Sequence, residues 1–347
     1  MPFQLRCLFA NKLAIMGKSL RIVYRTISTH ISKKAGYTKT TAHTGAVTLI
    51  QRFGSALNLN VHLHMLYLDG VYVEDNKYGS GMRFQWIKAP TNEELSRLTH
   101  TIAKRIGRYL ERQGLLERDA EHSYLNANAI EDEQDPMHQL HGSSVTYRIA
   151  VGPRQGRKVF TLQTLPASAP DEWVGSVDGF SLHAGVAAKA HERNTPRAPR
   201  KLERICRYIA RPPVSEQRLS LTRNGMVRYE LETPYRDGTT HVTAPAHPCA
   251  CGISAPMHVT APAHACACGI SAPMHVIFEP LGFISKLAAL VPKPRVNLTR
   301  FHGVFARVCL PPNRKHRARV TPGKRCKGKK FNATDDSQDK APEECRA

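Results

Sequence analysis

The sequence predicts an α+β fold in which an antiparallel sheet is flanked by helices and followed by a basic C-terminal tail. Short β-rich segments are bounded by turn residues, as at Asp69-Gly70 and Asn224-Gly225, and such segments pair most simply as hairpins. Apolar residues at helical spacing occur between these segments, for example after Thr91. Strands joined by hairpins and mixed with helices indicate an α+β domain.

The first part of the chain contains one predicted helical segment and a predicted pair of strands. Residues 4–36 carry Leu and Ile side chains among cationic ones and are predicted to be mostly helical. Strands are predicted at 45–55 and 60–68. The second strand is predicted to turn at Asp69-Gly70 and to return as the second arm of a hairpin.

A helix is predicted to begin at Thr91, because Thr91 and Glu94 have the spacing of a capping box. Its apolar residues recur every three or four positions up to Gly114, which favours one buried stripe. Residues 117–143 are acidic and polar and are predicted to form a surface excursion.

Further elements are predicted after this excursion. Two strands are expected within 144–164, and a helix at 199–211 is expected to end at Pro212-Pro213. Residues 218–232 are predicted to form a hairpin with a two-residue type I′ turn, followed by a second turn at Asp237-Gly238. The chain is therefore expected to have five segments: an N-terminal helical part (1–44), a central domain (45–240), an insertion (241–274), a strand and helix part (275–313) and a tail (314–347).

Charge indicates the class of partner. The chain has 50 Lys and Arg residues against 28 Asp and Glu residues, a net charge of +22, which favours nucleic acid. General basicity of a ribosome-associated or membrane-surface protein is the alternative. An apolar run long enough to span a membrane is lacking, as is a signal-peptide core. Nine cysteines in 347 residues do not suggest a disulfide scaffold, so a reducing cytoplasm is expected.

The insertion is a tandem repeat of 17 residues. "HVTAPAHPCACGISAPM" (241–257) is followed by 258–274, which differs only in having Ala265 in place of Pro248. The repeat places a histidine near each C-x-C pair, at His247, Cys249, Cys251, His264, Cys266 and Cys268. Structural zinc sites usually space cysteines by two to four residues, so an in-frame duplication is favoured over a zinc module. The insertion is expected to split a strand between Val242 and Ile277.

Two histidines lie within the predicted strand at 60–68. On a strand, residues two apart share a face, so His62 and His64 present two imidazoles side by side. With a third ligand from another element they can hold one divalent cation. The alternative is a pair of histidines at the edge of the core, each hydrogen-bonded to backbone.

A tyrosine lies near the end of the predicted helix at 199–211. Tyr208 has Arg204, Arg207 and Arg211 around it, and cationic neighbours favour a phenolate and can hold a phosphate. An ordinary amphipathic helix with Tyr208 at its flank is the alternative.

Together these residues resemble the HUH endonucleases, and more closely the rolling-circle transposases of the ISCR type. The similar stretches are "GAVTLIQRFGSALNLNVHLHMLYLDGVY" (45–72), "DGFSLHAGVAAKAHER" (178–193), "LERICRYIARPP" (202–213), 218–242 and 277–306. The resemblance implies an HUH-like antiparallel sheet and metal-dependent cleavage of single-stranded DNA.

In this family resemblance, His62 and His64 would bind Mg²⁺ or Mn²⁺, with His183 and then Gln51 as candidates for the third ligand. Tyr208 would attack the phosphate, forming a 5′-phosphotyrosine link and freeing a 3′-hydroxyl. Two-tyrosine relatives carry a second tyrosine one helical turn earlier, where this chain has Arg204. The sequence therefore resembles the single-tyrosine type.

The resemblance also implies which residues contact DNA, and it shows how this chain differs from the relatives. Predicted DNA contacts are basic residues of the helix and tail, namely Arg204, Arg207, Arg211, Arg314, Lys315, Arg317, Arg319, Lys324 and Arg325. Relatives begin with a cysteine-rich zinc region, so an N-terminally truncated copy is expected. Expected partners are single-stranded DNA at transposon ends and target and the host replication machinery, in a bacterial cytoplasm at the nucleoid, without a membrane. A catalytically inactive DNA-binding remnant is the alternative.

Overall fold

The computed structural model describes residues 1–54, 57–75, 81–118, 123–126, 135–153, 155–156, 173–188, 198–230 and 275–306. In these residues it is a mixed α+β fold of helices and small antiparallel sheets. The helices are α1 (Phe3–Asn11), α2 (Leu13–Lys34), α3 (Asn92–Arg112), α4 (Pro136–Val145), α5 (Ala198–Ile209) and α6 (Pro280–Leu290). The strands are β1 (Ala42–His43), β2 (Gly45–Phe53), β3 (Leu59–Tyr67), β4 (Gly70–Asp75), β5 (Gly81–Trp86), β6 (Leu116–Arg118), β7 (Ser123–Leu125), β8 (Val174–Val177), β9 (Phe180–His183), β10 (Leu219–Leu221), β11 (Val227–Glu230), β12 (His275–Phe278) and β13 (Thr299–Gly303).

The sheet that carries the candidate site has the order β13-β2-β3, with both pairings antiparallel. Successive β2 side chains point to opposite faces. On one face Ala46, Thr48 and Ile50 are 0%, 0% and 3% exposed. Ile50 belongs to the main apolar cluster together with residues of α1 and α2, including Phe9 and Leu20. The two N-terminal helices therefore cover one face of this sheet, and the histidines of β3 lie on the other.

The predicted hairpin at Asp69-Gly70 is wrong, because β4 does not pair with β3. Instead β4 pairs with β1 and β5 in a second sheet of order β1-β4-β5. Gly70 allows the β5 backbone to come close, because a Cβ atom at this position would collide with the carbonyl oxygen of Gln85. Gly70 thus lies at a strand boundary, as predicted, but its missing side chain allows close packing between strands and does not form a hairpin turn.

Helix α3 begins as its capping box predicts. The Thr91 hydroxyl accepts a hydrogen bond from Glu94 N at 3.2 Å, and the Glu94 carboxylate accepts one from Thr91 N at 2.9 Å. The same carboxylate forms an ion pair with Lys34 of α2 at 2.6 Å. The cap therefore also joins α3 to the N-terminal helices. The buried stripe of α3 consists of apolar side chains at helical spacing, namely Leu95, Leu98, Ile102, Ile106 and Leu110.

Helix α4 replaces part of the predicted surface excursion and the start of the predicted strands at 144–164. Asp135 caps it by accepting a hydrogen bond from Met137 N at 2.9 Å, and Pro136 occupies the first helical turn. His141 and Val145 of this helix are buried. The polar composition of the segment concealed a short helix whose cap was visible in the sequence. Residues 157–164 lie outside the described part of the chain.

The hairpin of β10 and β11 forms where it was predicted, but its turn differs. The backbone of Thr222 donates to Met226 O at 2.9 Å, which leaves residues 223–225 as a three-residue loop. Gly225 has a φ of 71°, a left-handed conformation that glycine adopts without strain. The predicted two-residue type I′ turn is therefore wrong, although the glycine does supply the positive φ.

The strand beyond the repeats is continuous. Strand β12 pairs antiparallel with β11, with His275 opposite Glu230 and Phe278 opposite Val227. Each 17-residue unit begins with His-Val, and the chain resumes with His275-Val276 after the second unit. The four residues of β12 that pair with β11 are contiguous in sequence, and Val242, the upstream side of the expected split, lies outside the described residues. The repeats at 241–274 lie outside the described residues.

Within the described ranges, no helix has the length and apolar character needed to cross a membrane.

A buried polar network ties β2 to three helices. Arg52 is 4% exposed and donates to Ala10 O of α1 at 3.4 Å and to Ala289 O of α6 at 3.3 Å. Its guanidinium also lies 3.1 Å from Nε2 of His141, whose Nδ1 lies 2.6 Å from Asn11 Oδ1. An acceptor role for Nε2 and a donor role for Nδ1 satisfy both contacts, so the imidazole is neutral.

Acid is expected to destabilise the fold through His141. Burial, and next the Arg52 charge, lowers the pKa of His141 from 6.5 to about 4. Between these values the unfolded chain binds more protons than the folded one, so the free energy of unfolding falls as the pH falls, by up to about 3 kcal/mol from this residue. His141→Gln should be less stable at pH 7.5 but should lose less stability between pH 6.5 and 4. Urea unfolding at several pH values measures this, and an unchanged pH slope would contradict it.

Candidate active site

The two histidines of β3 form the centre of the candidate site. His62 and His64 lie on the same face, with ring centroids 4.8 Å apart and planes inclined by 73°. Both are half-buried. The register of β2 and β3 places Gln51 directly opposite His62. The strand periodicity in the sequence therefore correctly predicted two neighbouring imidazoles.

Both imidazoles are neutral at neutral pH. Burial lowers the pKa of His62. Burial, then mutual disfavouring of protonation by the neighbouring His62, and then the charge of Arg211 lower the pKa of His64 to about 4. His62 Nδ1 lies 2.7 Å from Asn60 O, so this nitrogen carries the proton and Nε2 is left with a lone pair. A neutral imidazole with a backbone-fixed tautomer is the form that binds metal ions.

Gln51 contributes an amide to the same face. It is 6% exposed, and its Oε1 lies 3.1 Å from Nε2 of His64. Its Nε2 is buried and has no hydrogen-bond partner among the described residues. In the described part of the chain the amide is thus held by His64, and its oxygen is close enough to the histidines to act with them.

Tyr208 stands beside the histidine pair. Its ring centroid lies 5.9 Å from that of His64, with planes inclined by 83°, and its side chain is 54% exposed. The neighbouring Ile209 is 7% exposed and anchors the C-terminal turn of α5 against the protein. The guanidinium carbon of Arg211 lies 4.6 Å from the Tyr208 ring centroid, a cation–π contact. The phenol is thus held near the imidazoles and open to solvent.

The other predicted arginines of α5 differ in position. Arg207 is engaged by Glu203, with hydrogen bonds of 3.0 and 2.7 Å along one turn of the helix. Arg204 is exposed one turn before Tyr208. Arg6 of α1 was not predicted, yet its charge contributes to lowering the pKa of His62. Only the packing of α1 against β3 brings it there, and nothing in the local sequence marks it.

His183 is placed away from this group. It ends β9, is exposed, and belongs to a hairpin with β8 that packs on α3. Within the described ranges there is no group of three His, Cys, Asp or Glu side chains close enough to share a metal ion. His183 therefore does not join His62 and His64, while Gln51 does contact His64. The tail residues Arg314, Lys315, Arg317, Arg319, Lys324 and Arg325 and the repeat cysteines lie outside the described residues.

Comparison with known proteins places the chain in a family. A family model described as "Putative transposase" matches residues 45–248, a range that includes Gln51, both histidines and Tyr208. Neither the curated proteins nor the solved structures contain a match to the chain. Membership of a transposase family implies that the protein acts on DNA, in agreement with the net charge of +22. Since the match covers more than half of the 347 residues, the chain belongs to this family of transposases.

Proposed function

We propose that this transposase is an HUH-type enzyme of the single-tyrosine class, which cleaves single-stranded DNA through a 5′-phosphotyrosine intermediate in rolling-circle transposition. One observation carries the proposal. Tyr208 is distant from His64 in the sequence, yet its ring lies 5.9 Å from that of His64, which in turn lies 4.8 Å from His62. A nucleophile, two neutral imidazoles and a nearby arginine on one surface suit phosphodiester chemistry.

The residues present fit a divalent cation. His62 has a lone pair on Nε2, and His64 shares the same face. Gln51 offers an amide oxygen, and its amide nitrogen is buried without a partner among the described residues. Two imidazole nitrogens and one oxygen leave further positions for water or phosphate oxygens. Bound there, Mg²⁺ or Mn²⁺ would polarise the scissile phosphate as a Lewis acid. We assign the third protein ligand to Gln51, which contacts His64, in preference to His183.

In the proposed reaction Tyr208 Oη forms a bond to phosphorus while the bond from phosphorus to the 3′ oxygen breaks. The phenol proton passes to water, and the departing 3′ oxygen takes up a proton. The energy of the phosphodiester is kept in the tyrosine ester, so a later 3′-hydroxyl can reverse the step at another place. Half-exposure of Tyr208 allows a strand to reach the phenol.

We assign arginines at the site to binding of the scissile phosphate. Arg211 stacks on Tyr208 and lowers the pKa of His64, so its guanidinium lies near both the nucleophile and the imidazoles. The charge of Arg6 on α1 contributes to lowering the pKa of His62. A planar guanidinium donates two parallel hydrogen bonds to a phosphate, so the two arginines can hold the scissile group from different elements. Arg207, occupied by Glu203, is a weaker candidate.

A labelled-strand experiment tests the proposed function. The full-length protein is incubated with single-stranded oligonucleotides of randomised sequence and Mn²⁺, and products are separated under denaturing conditions. A 3′-terminal label is expected to shift with the protein, whereas a 5′-terminal label should be released on a fragment with a free 3′-hydroxyl. Matched duplex DNA and EDTA should both prevent the adduct. Binding without any adduct would instead support a DNA-binding remnant, and an adduct carrying the 5′ label would overturn the proposed polarity.

A further inference from the structure

The sheet face that carries the histidines continues as an open strip beyond them. Directly paired residues of an antiparallel sheet project to the same face, so the register defines three rows on it. The rows are Gln51 and His62, then Leu49, His64 and Thr299, then Val47, Leu66 and Phe301. The strip therefore leads from the candidate active site across apolar residues to the edge strand β13.

Along β2 between Ala46 and Ile50, burial differs between the two faces. The residues of β2 that alternate with these rows, such as Thr48 and Ile50, are buried, and Ile50 belongs to the apolar cluster that includes residues of α1 and α2. Val47, Leu49 and Leu66 are only half-buried. The helices of the described structure thus leave this side of the sheet partly uncovered.

Phe301 is the most accessible side chain of the strip. It lies on the edge strand and is 47% exposed. A strand spacing of about 4.8 Å and a rise of about 3.4 Å per residue put it roughly 12 Å from His64 on the same face. The next position towards the end of β2 is Gly45, where a Cβ atom would be 2.6 Å from Val304 and 2.8 Å from Phe305. Those side chains close the strip at that end.

An exposed aromatic ring at the end of an apolar strip matches one feature of single-stranded DNA. Every unpaired base has an apolar π face that can stack on an aromatic side chain without regard to sequence, whereas paired bases inside a duplex keep their faces covered. The strip is continuous with a site assigned to a phosphodiester, and the net charge of +22 favours the polyanionic strand over an apolar protein partner.

We propose that Phe301 is a base-stacking platform for the DNA strand, which holds an unpaired base while a neighbouring phosphate of that strand lies at His62, His64 and Tyr208. This inference rests on the proposed function for the position of the phosphate. It adds a binding residue from strand β13, beyond residues 45–248 that the family model matches.

Trp86 offers a matched control. Its ring is 61% exposed, more than that of Phe301, but it lies on β5 of the other sheet, where it contacts Phe84 at a centroid distance of 4.8 Å. If exposed aromatic surface alone caused DNA binding, replacing either residue by alanine would have a similar effect. If the sheet face that carries the histidines binds the DNA strand, only the Phe301 variant should lose affinity for single-stranded DNA.

The test measures binding of a fluorescein-labelled single-stranded oligonucleotide by anisotropy, in EDTA and with full-length protein. Phe301→Ala should weaken binding by about 5- to 150-fold, the range reported by alanine substitution at stacking positions. Phe301→Trp should retain affinity, and Trp86→Ala should stay within about twofold of wild type. The salt dependence should keep its slope in Phe301→Ala, because no phosphate contact is removed.

Equal affinity of Phe301→Ala and wild type, or an equal loss in Trp86→Ala, would overturn the proposal. Thermal melting of each variant separates a binding defect from unfolding. Because binding in EDTA needs no cleavage, the two proposals can fail separately. Adduct formation with unchanged Phe301→Ala binding would reject the platform alone, and a binding loss without any adduct in wild type would reject the cleavage alone.

Discussion

Tyr208→Phe is expected to abolish the covalent protein–DNA adduct while changing affinity for single-stranded DNA by less than about threefold. The phenylalanine ring keeps the contacts of Tyr208 with His64 and Arg211, at centroid distances of 5.9 and 4.6 Å, but lacks the attacking oxygen. Loss of a catalytic nucleophile lowers turnover by about 10⁴-fold or more. The signal in a denaturing gel should therefore vanish while anisotropy still reports binding.

Tyr72→Phe is a suitable control for that variant. Tyr72 lies on β4 in the second sheet, and its ring contacts Phe84 at 4.9 Å, away from the histidine pair. Its adduct yield should equal that of wild type. Persistence of the adduct in Tyr208→Phe would show that another residue is the nucleophile, and peptide mapping of the labelled adduct would identify it.

Local elements were predictable where short-range chemistry decides the structure. The capping box of Thr91 and Glu94 begins a helix, and the Pro212-Pro213 pair follows the end of another. Alternation predicted strands close to the observed β2 and β3. In each case the interactions that define the element are made by residues close together in sequence.

Pairing partners were less predictable, because they depend on tertiary contacts. The sequence around Gly70 has the composition of a hairpin turn, but its missing side chain instead admits β5 as a neighbour. The Asp135 cap was overlooked because the surrounding residues are polar, although α4 buries His141 against Arg52. A polar composition indicates exposure only when no buried partner is available.

In the candidate site, too, the features set by local sequence were predictable, and those set by tertiary contacts were not. The spacing of His62 and His64 fixes their common face, because a strand has a period of two. Their proximity to Tyr208 was inferred from a family resemblance, and the structure places the three rings together. Which residue lies nearest the histidines could not be predicted from residue type alone. Cross-strand register brings Gln51 to the histidines, and packing of α1 on β3 brings Arg6.

The sequence of the repeats explains how the start of strand β12 is kept despite the insertion. Each unit begins with the dipeptide that also begins β12, so duplication restores His275-Val276 in front of Ile277. The duplication lengthens the connection between Glu230 and His275, and in general each doubling of a connection's length raises its closure cost by only about 0.6 kcal/mol. The pairing of β11 with β12 is therefore compatible with the insertion.

The double substitution His62→Ala with His64→Ala is expected to abolish saturable Mn²⁺ binding and to lower adduct formation by about 10²- to 10⁴-fold. That range corresponds to the several kcal/mol that Lewis-acid stabilisation contributes to a transition state. Isothermal titration with Mn²⁺ alone measures the first effect without any DNA. Because burial lowers the pKa of both imidazoles, and that of His64 to about 4, wild-type Mn²⁺ affinity should persist below pH 6.5, where ordinary histidines become protonated.

Single substitutions then distinguish the two candidates for the third ligand. Gln51→Ala removes the amide oxygen that lies 3.1 Å from His64 and should weaken Mn²⁺ binding by about 10- to 100-fold, as loss of a group supporting a metal site does. His183→Ala alters an exposed residue of the β8–β9 hairpin and should leave Mn²⁺ affinity unchanged. The reverse result would mean that the hairpin closes onto the histidine pair when metal binds. Unchanged Mn²⁺ binding in the double histidine variant would remove the metal site from β3 altogether.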